Sequence, residues 1–304
     1  MNIQKTIKDT VKLHGIGLHN GIKANLYLKP AEVNSGIKFK RIDVNGLNII
    51  EANYKNVSST ALCTTIKNSS NVSVSTIEHL MAAFYGEGID NILVEIDAPE
   101  IPIMDGSAFD FVEAIRSVGT EDQRHLRNFI KAIKKVEIKK GSKHISIEPL
   151  EKDLIIDFQI VYKNPLIRTR RSEFKWSVNN LTSIYNSRTF CLYEDIDKIK
   201  SMGLAKGGSL DNAIVVKENK ILNDDGLRHR HEFVEHKILD CLGDLMLSGY
   251  RIFGHIKTSE GGHELTNSLL TEFIANKSNW EFQNFDDKKN VQNDMSPKSI
   301  AVSV

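Results

Sequence analysis

The sequence predicts an α+β fold of two similar domains, each a mainly antiparallel sheet with helices packed on one face, with the functional site in the cleft between them. Alternating apolar segments separated by Gly and Asn turns open each half. Each half then runs through the same order of Glu-His dipeptide, helix, strand, Gly-containing loop and helix. A chain of 304 residues, 40 % hydrophobic and 26 % charged, is long enough to build two modest cores of this kind.

Thr10 to Leu13, Lys23 to Leu28 and Gly36 to Arg41 read as the first strands. From Ser75 the apolar spacing becomes helical: Ser75 or Thr76 is the expected N-cap, and Gly86 and Gly88 end the run. Asn91 to Ile96 reads as a strand, APEIPIMDGSA as a loop, and Phe109 to Val118 as a helix. The polar, aperiodic GTEDQRHLR marks the connection. The expected domains are therefore 1–122 and 129–284, joined by a linker at 123–128, with a polar tail over 285–304 that is expected to be mobile. In the second half Val136 to Lys140, His144 to Pro149 and Leu154 to Tyr162 read as strands. A helix is expected from Glu235 to Gly249, a strand over Tyr250 to Ile256, a loop at SEGGHELTN and a helix over Ser268 to Asn276.

Forty basic and thirty-nine acidic residues leave a net charge of +1, so no global field draws the chain to nucleic acid or anionic lipid. The amino terminus lacks the apolar core of a signal peptide, and no run of apolar residues is long enough to span a bilayer. A soluble, cytoplasmic protein is expected, and the absence of an obvious apolar surface stripe points to a monomer. Cys63, Cys191 and Cys241 form no CxxC pair and read as buried, reduced thiols.

His236 and Asp240 stand four apart on the predicted second-half helix, so both project from one face and can reach one ion. Lys237 and Asp244 complete a polar stripe on that face, which an ordinary solvated face would also explain. A hydrolytic metal site needs about three protein ligands and an open position. His79 is the candidate third ligand, and its neighbour Glu78 could then take a proton from bound water. In Glu-Gly-Gly-His, His263 can be held at a cleft mouth, and pairing with Asp244 would keep it cationic. The bland readings are a surface Glu-His pair and a surface loop histidine. His229-Arg-His231 reads as an exposed polar segment, Lys206-Gly-Gly-Ser as a turn, and Arg168-Thr-Arg170-Arg171 as a solvated hairpin tip. For His14 and His19 only their place near a turn hints at a role.

HGIGLHNG, STALCT, STIEHLMAAFYGEGIDN, EIPIMDGSA, SRTF, LAKGGSLDNAIVV, EHKILDCLGDL and EGGHELTN together resemble, in order and spacing, the UDP-3-O-acyl-N-acetylglucosamine deacetylase family of lipid A biosynthesis. The resemblance runs from about residue 3 to residue 275. It implies zinc-dependent hydrolysis of the N-acetyl group, with Zn²⁺ held by His79, His236 and Asp240 and Glu78 as general base. It further implies His263 as general acid, with Asp244 as its partner and Thr189 polarising the scissile carbonyl. Lys237 would meet a phosphate of the UDP-linked acylated amino sugar, and Phe190 would pack on the sugar nucleotide. Tyr193, Ile196 and Met202 fall in a segment near 190–209 that resembles the family's acyl-chain passage, although core packing would explain the same spacing. Glu260 and Glu235 depart from the pattern, standing where some members carry a lysine and an arginine. The implied substrate is amphipathic, so transient contact with the inner membrane is compatible with the reading, while stable insertion is not expected. A sugar-nucleotide binding module without turnover and a dehydratase on a related two-domain fold are the rival readings.

Overall fold

The computed structural model describes residues 3–177 and 181–283, so the expected tail at 285–304 lies outside the described residues. The first half contains β1 (Ile3–Ile7), β2 (Val11–Ile16), β3 (Lys23–Pro30), β4 (Ile37–Arg41), β5 (Ile49–Glu51), β6 (Val57–Ser59), β7 (Thr65–Lys67) and β8 (Ser73–Val74). It continues with α1 (Glu78–Glu87), β9 (Ile92–Ile96), α2 (Phe109–Val118) and β10 (Thr120–Leu126). The second half begins with β11 (Phe129–Ala132), β12 (Val136–Lys140), β13 (Lys143–Glu148), β14 (Leu154–Ile160) and β15 (Arg170–Lys175). Then come α3 (Thr182–Tyr185), β16 (Phe190–Leu192), α4 (Ile196–Ser201), β17 (Ile214–Lys217) and β18 (Lys220–Ile221). The chain closes with α5 (Glu232–Met246), β19 (Arg251–Ser259), α6 (His263–Ala275) and β20 (Trp280–Gln283).

The fold is α+β with mainly antiparallel pairing, as the alternating segments predict. In the first half β2-β3-β9-β4-β5 form one sheet, antiparallel throughout except for the β4–β9 pair. Alternation decides which face is covered: Ala24, Leu26 and Leu28 of β3 and Ile92, Val94 and Ile96 of β9 are buried, with the residues between them more open. In the second half β19 is the hub, antiparallel to β13 and parallel to β11 and β14.

Helices α1 and α5 pack against each other, and α5 and α6 cover the second sheet. Residues 78 to 85 of α1 are all buried, and nearly all of α5 is, as expected of helices covered on several sides. Their approach is close enough to require glycine: a Cβ at Gly243 would lie 2.8 Å from the Glu78 carbonyl carbon and closer still to its oxygen. At the other end of α1, the buried Arg251 guanidinium donates to the Phe84, Tyr85 and Ile89 carbonyls and stacks 4.2 Å over the Tyr85 ring. A cation on exposed helix-end carbonyls satisfies their acceptors and the helix dipole together.

Several boundaries differ from expectation. Helix α1 has Ile77 at its N-cap without any side-chain cap, because Thr76 is in the left-handed region (φ 57°) and its hydroxyl donates to Glu100. Gly86 lies inside the helix, and Gly88 (φ 73°) ends it. Helix α5 begins at Glu232 rather than Glu235. Glu232 there accepts hydrogen bonds from the Arg188 and Arg228 backbones and an ion pair from the Arg188 side chain. Helix α6 begins at His263, so that histidine is the first residue of a helix rather than part of a longer loop. The polar connection contains a strand, β10, paired antiparallel with β1.

Candidate active site

The N-terminus of α1 brings Glu78 and His79 against the polar stripe of α5. His236, Asp240 and Asp244 on that stripe are 2 %, 4 % and 3 % exposed, which rules out a solvated face. Donor atoms of His79, His236 and Asp240 lie within 4.8 Å of one another. The Asp240 Oδ1 atom is 3.4 Å from His79 Nε2 and 3.5 Å from His236 Nε2, yet has no hydrogen-bond partner. His236 Nδ1 lies 3.0 Å from the Ser187 carbonyl, which orients the ring and frees Nε2. Burial pushes the His236 pKa down to about 3, so the ring is a neutral donor. Asp240 is held well below the usual carboxylate range: burial opposes this, but the groups facing it outweigh burial, among them the Lys237 ammonium, whose Nζ donates to Asp240 Oδ2 at 2.8 Å. Two imidazoles and an ionised carboxylate whose Oδ1 has no partner fit a divalent cation.

Beside this cluster runs a chain of polar contacts. The Thr64 hydroxyl donates to Asp244 Oδ1 at 2.6 Å, and Asp244 Oδ2 lies 2.8 Å from His263 Nδ1. His263 Nε2 stands 3.7 Å from Glu78 Oε1, and the Thr64 amide donates to Glu78 Oε2 at 3.0 Å. Burial opposes the charged form of His263, but the charges of Asp244 and Glu78 outweigh it and push its pKa up to about 10. Burial also raises the Glu78 carboxyl, partly offset by His263 and His79. A histidinium at a helix N-terminus is disfavoured by the dipole, so the neighbouring carboxylates sustain it.

A cavity of about 730 Å³ opens beside these groups, with His19, Thr189, Phe190, His236, Lys237 and His263 among its walls. Tyr193, Ile196 and Ile199 add an apolar wall to the same cavity. Phe190 meets Phe233 edge-on, with ring centroids 4.9 Å apart, and Tyr162 at 5.7 Å. The Thr189 amide donates to the Gly106 carbonyl at 2.8 Å, and its own carbonyl accepts from Ile214. Met202 does not line the cavity and is 58 % exposed. Glu260 lines it and Glu235 is half-buried. Cys63 and Cys241 are buried as expected, whereas Cys191 is only half-buried and lines the cavity.

The spacing arguments missed three residues. Thr64 touches both Glu78 and Asp244, although 180 positions separate it from the latter. His19 is buried on the cavity wall with both ring nitrogens unpartnered, and burial pushes its pKa down. Glu100 accepts from the His19 and Asn20 amides and the Thr76 hydroxyl, fixing the turn and the entry to α1 together. The glycine-rich HGIGLHNG was the one local signal for the second of these. A second donor group, Asp157, Glu173 and His255, sits on the outer face of the second sheet, where Arg171 already pairs with both Asp157 oxygens. His229 and His231 do not join a metal-ligating group among the described residues, and Lys206 and Gly207 form a turn.

Residues 4–275 match the family model described as UDP-3-O-acyl N-acetylglycosamine deacetylase. The chain is 44 % identical over 291 residues to the UDP-3-O-acyl-N-acetylglucosamine deacetylase of Pasteurella multocida (strain Pm70), covering 95 % of each chain. It is 42 % identical over 303 residues to the protein of that name from Haemophilus influenzae (strain 86-028NP), covering 98 % of this chain and 99 % of the relative. To that of Actinobacillus pleuropneumoniae serotype 3 (strain JL03) it is 42 % identical over 289 residues, covering 94 % of each.

Proposed function

Because this chain belongs to the UDP-3-O-acyl N-acetylglycosamine deacetylase family, we propose that its His79, His236 and Asp240 hold the Zn²⁺ of the deacetylation reaction, with Glu78 and His263 moving the protons. The reaction is hydrolysis of the N-acetyl group of UDP-3-O-acyl-N-acetylglucosamine in lipid A biosynthesis, giving acetate and a free sugar amine. The observation that carries the assignment of the metal is the buried, unpartnered Asp240 Oδ1 faced by two imidazole nitrogens. When bound, such a cation polarises a carbonyl and acidifies water.

The proton work falls to this chain's own side chains. Glu78 accepts a proton from the attacking water; its Oε2 is tied to the Thr64 amide, which holds the carboxylate in one orientation. The new C–O bond places charge on the former carbonyl oxygen, and the Thr189 hydroxyl is assigned to stabilise it from the cavity wall. Cleavage of the C–N bond leaves an amine that needs a proton. His263, kept protonated by Asp244, supplies it. Asp244 acts through His263 as a positioning residue. Lys237, which lines the cavity together with Lys143 and Lys200, is assigned to a UDP phosphate, and Phe190 to packing on the sugar nucleotide. Tyr193 and Ile196 flank the acyl chain, with Met202 outside the wall, at most touching its far end. No helix among the described residues is long and apolar enough to cross a membrane, and we place the reaction in the cytoplasm.

Glu78→Gln is the direct test. It removes the base and leaves the three ligands, so acetate release should fall by about 10²–10⁴-fold with metal content unchanged. Undiminished turnover would remove Glu78 from the mechanism.

A further inference from the structure

The sequence Arg168-Thr-Arg170-Arg171 lies where β14 returns into β15, and its arginines meet different fates. Arg171 pairs with Asp157 through both of that carboxylate's oxygens. Arg168 and Arg170 face a separate open cavity of about 620 Å³, whose lining also includes Arg230, Thr169 and Asn219. Among the described residues no Asp or Glu side chain lines this cavity, and it shares no lining residue with the larger one. Among the described residues, none of Arg168, Arg170 and Arg230 has a carboxylate oxygen within ion-pair reach.

What holds the Arg168 and Arg170 side chains is neutral. Arg170 donates from Nε to the Ile167 carbonyl at 2.8 Å, from Nη2 to the Leu166 carbonyl at 3.0 Å and from Nη1 to the Arg230 carbonyl at 3.4 Å. Arg168 Nε donates to the Pro165 carbonyl. The turn beneath is fixed by Asn164, whose Oδ1 accepts from the Leu166 amide at 2.9 Å and whose Nδ2 donates to the Glu218 carbonyl at 2.8 Å. Carbonyl acceptors orient a guanidinium without cancelling its charge. Three like charges are thus gathered on one concave surface, where they repel one another, and each guanidinium has donors left over. Uncompensated guanidinium groups, two of them oriented by carbonyls, with Thr169 and Asn219 beside them match the oxygens of a phosphate group.

We propose that this cavity is a phosphate-binding site separate from the deacetylation site, formed by Arg168, Arg170 and Arg230 with Thr169 and Asn219. Its ligand is a phosphate-bearing anion, supplied either free in solution or as the headgroup of an anionic lipid. The cavity is open, so its binding weakens as salt screens the charges.

The test is titration of the full chain with inorganic pyrophosphate, compared with Arg168→Gln and Arg230→Gln. Both side chains are exposed, and Arg170, which braces the turn, is left in place. Each substitution should weaken the arginine-dependent binding by about tenfold, the size of one charged hydrogen bond, and Arg168→Lys should recover part of the loss. Deacetylase kcat and KM should not change. A titration unaffected by the double substitution overturns the proposal. So does a KM that rises with it, because the arginines would then serve the substrate cavity. Co-sedimentation with phosphatidylcholine vesicles, with and without phosphatidylglycerol, separates the two sources. Arginine-dependent retention on the anionic vesicles, relieved by pyrophosphate, identifies a lipid headgroup. Pyrophosphate binding without retention identifies a free phosphate.

Discussion

Substituting Gly243 by alanine adds one methyl group at the point where α5 touches α1. The added carbon would stand 2.8 Å from the Glu78 carbonyl carbon and 3.1 Å from the Ala82 amide nitrogen. Carbon atoms pack without penalty at about 3.5–4.0 Å, so the helices must separate by roughly 1 Å. Both obstructing groups are backbone, and no rotamer change relieves them. Overpacking of this kind costs about 1–3 kcal/mol. The functional loss should be larger than the stability loss, because the residue that is pushed is Glu78 itself, with His79 next in the chain. A displacement of about 1 Å can reduce turnover by about 10²-fold. Thermal denaturation, metal content and acetate release measured on the same Gly243→Ala preparation test this directly. A variant with parental melting temperature, metal content and turnover would refute the claim that the α1–α5 approach sets the site geometry.

Removing the charge of Asp244 should lower the pKa of His263, so in Asp244→Asn the alkaline limb of the kcat/KM profile moves to lower pH; an unmoved limb would separate the pair from proton donation. In the metal-free protein the same pair has a stability signature. Because the folded pKa is raised, the contribution is fully present below the unfolded value of about 6.5 and lost as pH rises through about 10. Denaturant midpoints should therefore fall over that interval in the parent chain and much less in Asp244→Asn. Glu232→Ala should destabilise the fold by about 1–3 kcal/mol, since it removes one of the two carboxylates that hold the buried Arg188 guanidinium and leaves Asp225 and the Gly226 carbonyl, and an unchanged midpoint would contradict the ion pair's role at the start of α5.

Legibility in the sequence followed local physics. Helix α2 spans the residues its spacing predicts, because one apolar face and a terminal glycine are both local signals. The shared face of His236 and Asp240, which we assign to the metal, was legible for the same reason, as a separation of four on a helix means one face. The start of α6 was not, because Gly262 precedes it in extended backbone (φ 176°) and no side chain caps it. Strand β10 was hidden by its polarity. Among the described residues it pairs only with β1, and it keeps most of its side chains exposed, so no alternation of apolar residues marks it. Two other long-range contacts left no trace: nothing near Thr64 announces Asp244, and nothing near Arg251 announces the end of α1. The proton-transfer roles assigned to Glu78 and His263 are suggested by the neighbours each has, His79 for the first and Asp244 for the second, and the ordered motifs as a set imply them as well.

The most direct test of the account is acetate release from UDP-3-O-(3-hydroxyacyl)-N-acetylglucosamine by the purified chain, measured before chelation, after it, and after restoring stoichiometric zinc. Release that disappears with the chelator and returns with zinc, but does not return in a His79→Ala and Asp240→Ala variant, is the predicted result. Release that persists in folded, metal-free protein would contradict the assignment of His79, His236 and Asp240 as the centre of the chemistry.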